Sequence, residues 1–396
     1  MAEKITCSMV NHGLGITWQG VLTPCCQWYP EGDQSLEYRW DQYQGYNDNV
    51  RTAILKDFDQ GIRHVGCVKC FREEDLGYTS LRQRANELHP ETHTTPSVDN
   101  PIYNFEIRLG NHCNLRCIMC GTYASSAWHQ ERGQNPEAFD RINMIHQHPQ
   151  PDKWWENPAY IEFLTEKLKD AVSIDISGGE PFPLPSTWKI LDILIASNNT
   201  DVRLQFNTNL TRVPPVLVDK LKLFTNVWIS VSLEGVGAMN DYLRYPSRWE
   251  EISANMILLQ EALPGAVRNI NHTLQHASVY SLPALVDYAK SREVDLRITT
   301  VSGTPCLTME SAPPQDLKRL VDWIETVDWL RRPESVRLGQ IYPYNLWGEE
   351  LYNIITGLGK TTVFDQKLYD DYRQYVKLLD SMRGTDYDAV FKPSAV

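Results

Sequence analysis

NHCNLRCIMCG, residues 111–121, places Cys113, Cys117 and Cys120 at the spacing C-x3-C-x2-C. No fourth cysteine or histidine follows at a comparable spacing. A structural zinc site wants four closed ligands, commonly as two C-x2-C pairs, and this triplet is one short. Three thiolates on one loop suit one face of a cubane iron–sulfur cluster, because such clusters are held by cysteine thiolates. The remaining iron is then open to a ligand from outside the chain.

The residues around the triplet give it a place in a fold. NFEIRL (104–109) directly precedes it and reads as a strand, so the cysteines fall on the loop at that strand's C-terminal end. Further strand-like runs are VSIDIS (172–177), VRLQFN (202–207), VWISVSL (227–233), INHTLQHA (270–277) and VDLRITTV (294–301). Amphipathic stretches at 160–171, 187–197, 214–224, 249–263 and 282–291 lie between them. Strand, helix, strand in this order predicts right-handed crossovers and a parallel α/β sheet, open or closed into a barrel. Active sites of such sheets gather at the strand C-terminal ends, where the cysteine loop stands. The polar stretch 129–158 extends the first crossover, and its His146-Gln147-His148 read as surface histidines.

Bulk composition narrows the function classes. The 396 residues carry 42% hydrophobic and 22% charged residues, a globular composition with material for more than one core. A net charge of −12 without a basic run argues against wrapping nucleic acid. No apolar run is long enough to span a bilayer, and MAEKITCSMVNHG lacks a signal-peptide core, so a cytoplasmic location is expected. In a reducing compartment nine cysteines are metal ligands or reactive thiols rather than disulfides.

At this point the chain resembles the radical S-adenosylmethionine (SAM) superfamily, whose signature is this C-x3-C-x2-C loop on a partial (β/α)6 barrel. The resemblance implies a [4Fe–4S] cluster on Cys113, Cys117 and Cys120, whose open iron chelates SAM. One electron, from a donor such as flavodoxin or ferredoxin, would then release a 5′-deoxyadenosyl radical; that chemistry belongs to the cofactor. SGGEP (177–181) resembles the family's GGEP motif, which implies SAM contacts from Gly178, Gly179 and Glu180. SVSLEG (230–235) resembles an S-x-D-G stretch with Ser232 near the ribose, although Glu234 stands where Asp is usual. Arg244 matches an arginine that pairs with the SAM carboxylate. Asn209 resembles a T-N-G position that here lacks its glycine, and Met119 fills an apolar slot before the last cysteine.

The N-terminal cysteines extend the resemblance. Cys7, Gly20, Cys25 and the pair Cys67-x2-Cys70 follow the order of SPASM and twitch auxiliary-cluster modules, which usually come after the barrel. A hairpin at Gln19-Gly20 and a C-x2-C turn can bring Cys7, Cys25, Cys67 and Cys70 around an auxiliary [4Fe–4S] cluster. Cys26 in place of Cys25, or a zinc ribbon on the same ligands, remains open. The domain reading is 1–100 for this module and its linker (HPETHTTPSVDNP, 89–101), 101–305 for the barrel and 306–396 for a mostly helical extension. The tail LDSMRGTDYDAVF also resembles twitch-containing relatives.

Cys306, just past the last strand, is expected to open onto the barrel mouth. Peptide epimerases of the family use a cysteine there to return a hydrogen atom to a substrate radical. The reading with most detail is therefore L-to-D epimerisation of a ribosomally made peptide with Cys306 as hydrogen donor. The alternatives are a dehydrogenase or a thioether or carbon–carbon cross-linking enzyme with the auxiliary cluster as electron acceptor, and a non-enzymatic iron–sulfur or zinc protein.

Overall fold

Apolar and polar residues alternate along the strands of the main sheet, and that alternation separates a buried face from an open one. A computed structural model describes residues 4–29, 36–75, 79–88, 97–301, 303–327 and 349–391. Its strands are β1 (Gly13–Ile16), β2 (Leu22–Thr23), β3 (Asn104–Leu109), β4 (Ser173–Gly178), β5 (Arg203–Thr208), β6 (Val227–Ser232), β7 (Val267–Leu274) and β8 (Asp295–Thr300). They stand in the order β2-β1-β3-β4-β5-β6-β7-β8 in one unclosed sheet. From β3 to β8 that order follows the chain, with helices in the crossovers, which is the partial (β/α)6 arrangement. In β3, Phe105, Ile107 and Leu109 are buried, while Glu106 is half-buried and Arg108 exposed. Strands buried on both faces would read as continuous apolar runs, so the polar positions mark the face that helices do not cover.

The chain divides into two compact units. The first comprises residues 1–111, 151–206 and 215–227. Here β1 pairs antiparallel with β2, with Gly15 opposite Thr23, and Gly20 takes a left-handed φ of 80° in the turn between them. The predicted hairpin is therefore present. On its other edge β1 runs parallel to β3, with Gly13 opposite Asn104, so the cysteine-rich segment adds strands to the barrel sheet instead of standing apart from it. β3, β4 and β5 are parallel neighbours, with Glu106 beside Asp175 and Asp175 beside Gln205 on the open face. Helices Pro158–Leu168, Pro185–Ala196 and Pro215–Leu221 each begin with proline, tolerated at the first turn because its missing N–H has no partner there anyway. They bury Leu164, Leu168, Ile190, Leu191, Leu194, Leu217 and Leu221. Most of the predicted linker, residues 89–96, lies outside the described residues.

The second unit comprises residues 112–150, 207–214 and 228–396. Its strands β6, β7 and β8 run parallel, with a register shift between Ile229 and Ser230. β7 begins three residues before the predicted run, and helix Ser278–Ser291 begins four residues before its own. Pro283 lies inside that helix, at its sixth residue. Beyond β8 the described chain is helical, as expected: Pro314–Thr326, Glu349–Thr361, Gln366–Arg383 and Tyr387–Phe391. Helix Gln366–Arg383 supplies Tyr372, Tyr375, Val376 and Leu379 to a core shared with Ile118, Trp128 and Phe139. Among the described residues, no helix is long and apolar enough to cross a membrane.

Candidate functional site

The cysteine loop has no regular secondary structure, so its backbone groups must find partners elsewhere. They do so within the second unit. The Arg116 N–H donates to the Tyr245 carbonyl at 2.6 Å, and the Ile118 N–H to the Leu243 carbonyl at 2.9 Å. Ser125 Oγ donates to the Leu115 carbonyl (2.6 Å), Trp128 Nε1 to the Cys117 carbonyl (2.8 Å) and the Tyr375 hydroxyl to the Ile118 carbonyl (3.0 Å). Three carbonyls of the loop are thus held by side chains from outside it.

The sulfurs have donors of their own. Cys113 Sγ accepts the Leu115 N–H at 3.5 Å and Asn209 Nδ2 at 3.7 Å. Asn209, just past β5, also donates to Asn114 Oδ1 at 3.1 Å, so it grips the loop at two points. A hydrogen bond from the Cys120 thiol draws Cys117 down to about 7 despite its burial, and the positive charge of Arg244 adds to the effect. Arg244 follows helix Ala238–Leu243 and is 8% exposed. Burial opposes its charge, but the neighbouring Cys117 sulfur and Glu234 outweigh that, so the guanidinium is held firmly cationic. Its Nε is buried without a hydrogen-bond partner.

Glu234 is the residue whose role the sequence left open. It is 1% exposed and accepts from Arg244 Nη1 at 2.9 Å and from the Thr273 N–H at 2.9 Å. His272 Nδ1 lies 3.2 Å from its other carboxylate oxygen, and His272 Nε2 is 2.9 Å from Ser278 Oγ. The longer acid therefore reaches both the arginine and the neighbouring strand. Ser232, the last residue of β6, pairs in register with Asn271, and Met119 packs against the core beneath the loop.

The Gly178-Gly179-Glu180 stretch belongs to the first unit and ends β4. Gly178 has φ 141°, and a Cβ there would come within 2.9 Å of the Leu109 nitrogen and 3.0 Å of its oxygen. Only glycine lets the ends of β3 and β4 approach this closely. Glu180 is 2% exposed, and its Oε1 accepts the Phe182 N–H at 3.2 Å.

The first unit also gathers Cys7, Cys25, Cys67 and Cys70 around one cavity, with Trp28 and Arg82 in the same lining. Cys7 caps the start of helix Ser8–His12, Cys25 follows the hairpin, Cys67 ends a 3-10 turn and Cys70 lies in helix Val68–Asp75. Cys26 is exposed instead, and its backbone N–H donates to Glu106 Oε2. Burial raises the Cys7 thiol to about 11, which no nearby cation fully offsets. Among the described residues, no three His, Cys, Asp or Glu side chains converge as ligands of a single metal ion.

Residues 107–276 match the model of the Radical SAM superfamily. The chain contains a radical SAM domain. No curated protein matches the chain. Among solved structures it is similar to native anSMEcpe with bound AdoMet, at 14% identity over 57% of this chain and 60% of that one, with a TM-score of 0.40. It is similar to SuiB of Streptococcus suis bound to its precursor peptide SuiA, at 14% identity over 84% and 70%, TM-score 0.38. A third likeness is to coproporphyrinogen III oxidase (HemN) from Escherichia coli, a radical SAM enzyme, at 13% identity over 60% and 53%, TM-score 0.39. The chain spans about 60% of the length of the first of these. Similarity at this level extends to neither substrate nor reaction.

The donor set of the radical SAM domain fits an iron–sulfur cluster. N–H groups point at Cys113, a cation lies beside Cys117 and Cys120, and the Cys117 thiol is drawn down by its hydrogen bond from Cys120, whose own thiol that bond and burial hold up. These features stabilise thiolates, which are the form that binds iron. The Arg244 Nε keeps an unused donor beside them, suited to an anionic ligand.

One expectation is corrected. Cys306 does not open onto a mouth: it is 2% exposed in the core with Trp128, Tyr372 and Tyr375, its sulfur 4.0 Å from that of Met144. Burial pushes its thiol up to about 12. Helix Gln366–Arg383, packed against the turn at Pro305–Leu307, covers it. Also missed in the sequence were His272 and the pair Trp28 and Arg82; none sits in a spacing that sets it apart.

Proposed function

We propose that this chain is a radical SAM enzyme that oxidises a peptide substrate by abstracting a hydrogen atom from it. The C-x3-C-x2-C loop of Cys113, Cys117 and Cys120, placed within the radical SAM domain, is the observation that carries this reading. With a [4Fe–4S] cluster and SAM bound, the cofactors supply a 5′-deoxyadenosyl radical as the hydrogen-abstracting species. The chain's part is to hold and shield them. Asn209 and the Leu115 N–H steady Cys113, Glu234 aims Arg244, and Arg244 meets the SAM carboxylate with its free Nε. Glu180, Gly178 and Gly179 bind the SAM ammonium, and Ser232 lies by the ribose, as the family resemblance implies.

Two observations support this reading of the substrate and of the direction of the reaction. In the first unit the open face of β3 to β5 carries Glu106, Arg108 and Gln205, polar groups of the kind that recognise a peptide backbone. Cys306 is buried in a core, which favours an oxidative course over redox-neutral epimerisation with this thiol as the donor. Cys7, Cys25, Cys67 and Cys70 instead provide a place for a second cluster to take up the electron that the substrate radical must lose. They line one cavity together, as the thiolate ligands of a multi-iron cluster do. A flavodoxin or ferredoxin is the reductant of the first cluster in this scheme.

The test is anaerobic reconstitution with iron and sulfide, followed by incubation with SAM and dithionite. Release of 5′-deoxyadenosine is expected, and Cys117→Ala should abolish it. A protein that binds iron but never cleaves SAM would be a non-enzymatic iron–sulfur protein. On a genuine peptide substrate, the product should be lighter by two hydrogens and Cys306→Val should leave turnover intact. An isomer of unchanged mass, lost in Cys306→Val, would restore epimerisation.

A further inference from the structure

We propose that Trp28 and Arg82 tune the auxiliary centre toward accepting electrons, the indole by donating its N–H to a cluster sulfur and the guanidinium by its charge. The inference rests on the reading of Cys7, Cys25, Cys67 and Cys70 as ligands of that centre. Trp28 lines the same cavity as the four cysteines and is 6% exposed. Its Nε1 is buried without any hydrogen-bond partner. A buried indole N–H normally finds an acceptor, and leaving one unmade is costly. The cavity is where an acceptor would arrive, as sulfide or thiolate.

The ring is held in place by features that have no other evident use. The Trp28 N–H closes a turn onto the Cys25 carbonyl at 3.3 Å, tying the indole to one ligand. Gly66, immediately before Cys67, lies flat against the indole, where any Cβ would collide with Nε1. The ring is therefore wedged between two ligand-bearing segments. Arg82 completes the lining as its cation. It is fixed by Glu74, with Nη2 at 2.7 Å and Nε at 3.0 Å, and its Nη1 donates to the Thr6 carbonyl at 2.8 Å, next to Cys7. Four thiolates give a [4Fe–4S] centre a net negative charge, and adding an electron makes it more so. Hydrogen bonds to sulfur and a nearby cation both favour the reduced form, which raises the reduction potential.

The experiment isolates this centre in the full-length chain by replacing Cys113, Cys117 and Cys120 with Ala. Iron content and an EPR-monitored redox titration are then compared with and without Trp28→Phe. The expected result is unchanged iron and a potential lower by about a tenfold fall in the reduced fraction at fixed poise, ~59 mV for a one-electron couple. Arg82→Met should shift the potential the same way and Arg82→Lys should restore it. If Trp28→Phe fails to hold iron, Gly66→Ala keeps the indole but displaces its nitrogen and should show the same downward shift. Full iron with an unmoved potential in Trp28→Phe and Gly66→Ala overturns the tuning role while leaving the centre standing. No iron, or zinc, in the parent lacking the three barrel cysteines overturns the auxiliary centre and the tuning role with it.

Discussion

Glu234 is a buried point of charge in the candidate site. It holds Arg244 and the Thr273 N–H directly and stands 3.2 Å from His272 Nδ1. An aspartate, one methylene shorter, could not span the same distance between Arg244 and β7 without moving one of them. Removing the acid would leave a guanidinium buried without its counter-charge, a change that costs about 3–5 kcal/mol when one partner of a buried pair is lost. Glu234→Ala is therefore expected to lower the unfolding free energy from urea titration by that much and to weaken SAM binding measured by equilibrium dialysis. Glu234→Asp should retain most of the stability but bind SAM less tightly, because the arginine is no longer aimed from the same point. The sequence showed that position 234 departs from the family's aspartate, but not what the longer acid reaches.

At the scale of elements, the junction of β3 and β4 shows how one backbone angle positions a motif. Gly178 pairs in register with Leu109, and its φ of 141° turns the chain into Gly179-Glu180. A methyl group there meets the Leu109 backbone within 3.0 Å, and neither strand can shift without disturbing the ladder. Gly178→Ala should cost about 1–3 kcal/mol, in the range of enforced backbone strain, read as a lower melting temperature. Its 5′-deoxyadenosine release should fall further than stability explains, because Glu180 moves with the turn. Gly110, by contrast, makes room for a ring: a Cβ there would collide with Trp155. Pattern alone located β3 to the residue, while β7 began three residues early. β7 opens on Val267-Arg268-Asn269, where two successive polar residues, one on each face, hide the strand from a hydrophobic count.

At the scale of the molecule, the C-terminal helices are part of the candidate site and not an appendage. Arg383, near the end of helix Gln366–Arg383, donates to Glu131 at 2.7 Å with both side chains at 5% exposure or less. Glu131 also takes Arg116 from the cysteine loop at 3.3 Å, and Tyr375 of the same helix donates to the Ile118 carbonyl. Two contacts from one helix thus clamp a loop about 260 residues earlier in the chain. Arg383→Met should leave Glu131 with Arg116 alone and loosen that clamp. The expected outcome is loss of the iron bound by Cys113, Cys117 and Cys120 on exposure to a chelator, with the iron at Cys7, Cys25, Cys67 and Cys70 retained. Equal loss from both centres would show that the helix stabilises the chain in general and not the loop.

What the sequence determined by itself is whatever has a local period or spacing. The C-x3-C-x2-C triplet, the βαβ alternation and the hairpin at Gly20 all rest on residues a few positions apart, where sterics and hydrophobic alternation act directly. Only the tertiary structure decided that Cys25 lines the cavity while Cys26 faces Glu106, since two adjacent thiols carry the same local signal. It alone sealed Cys306 beneath a helix sixty residues further along and joined Glu234, Arg244 and His272 in one buried network. Such placements are set by packing between segments distant in the chain, and burial of a polar or reactive group depends on what covers it rather than on its neighbours in sequence.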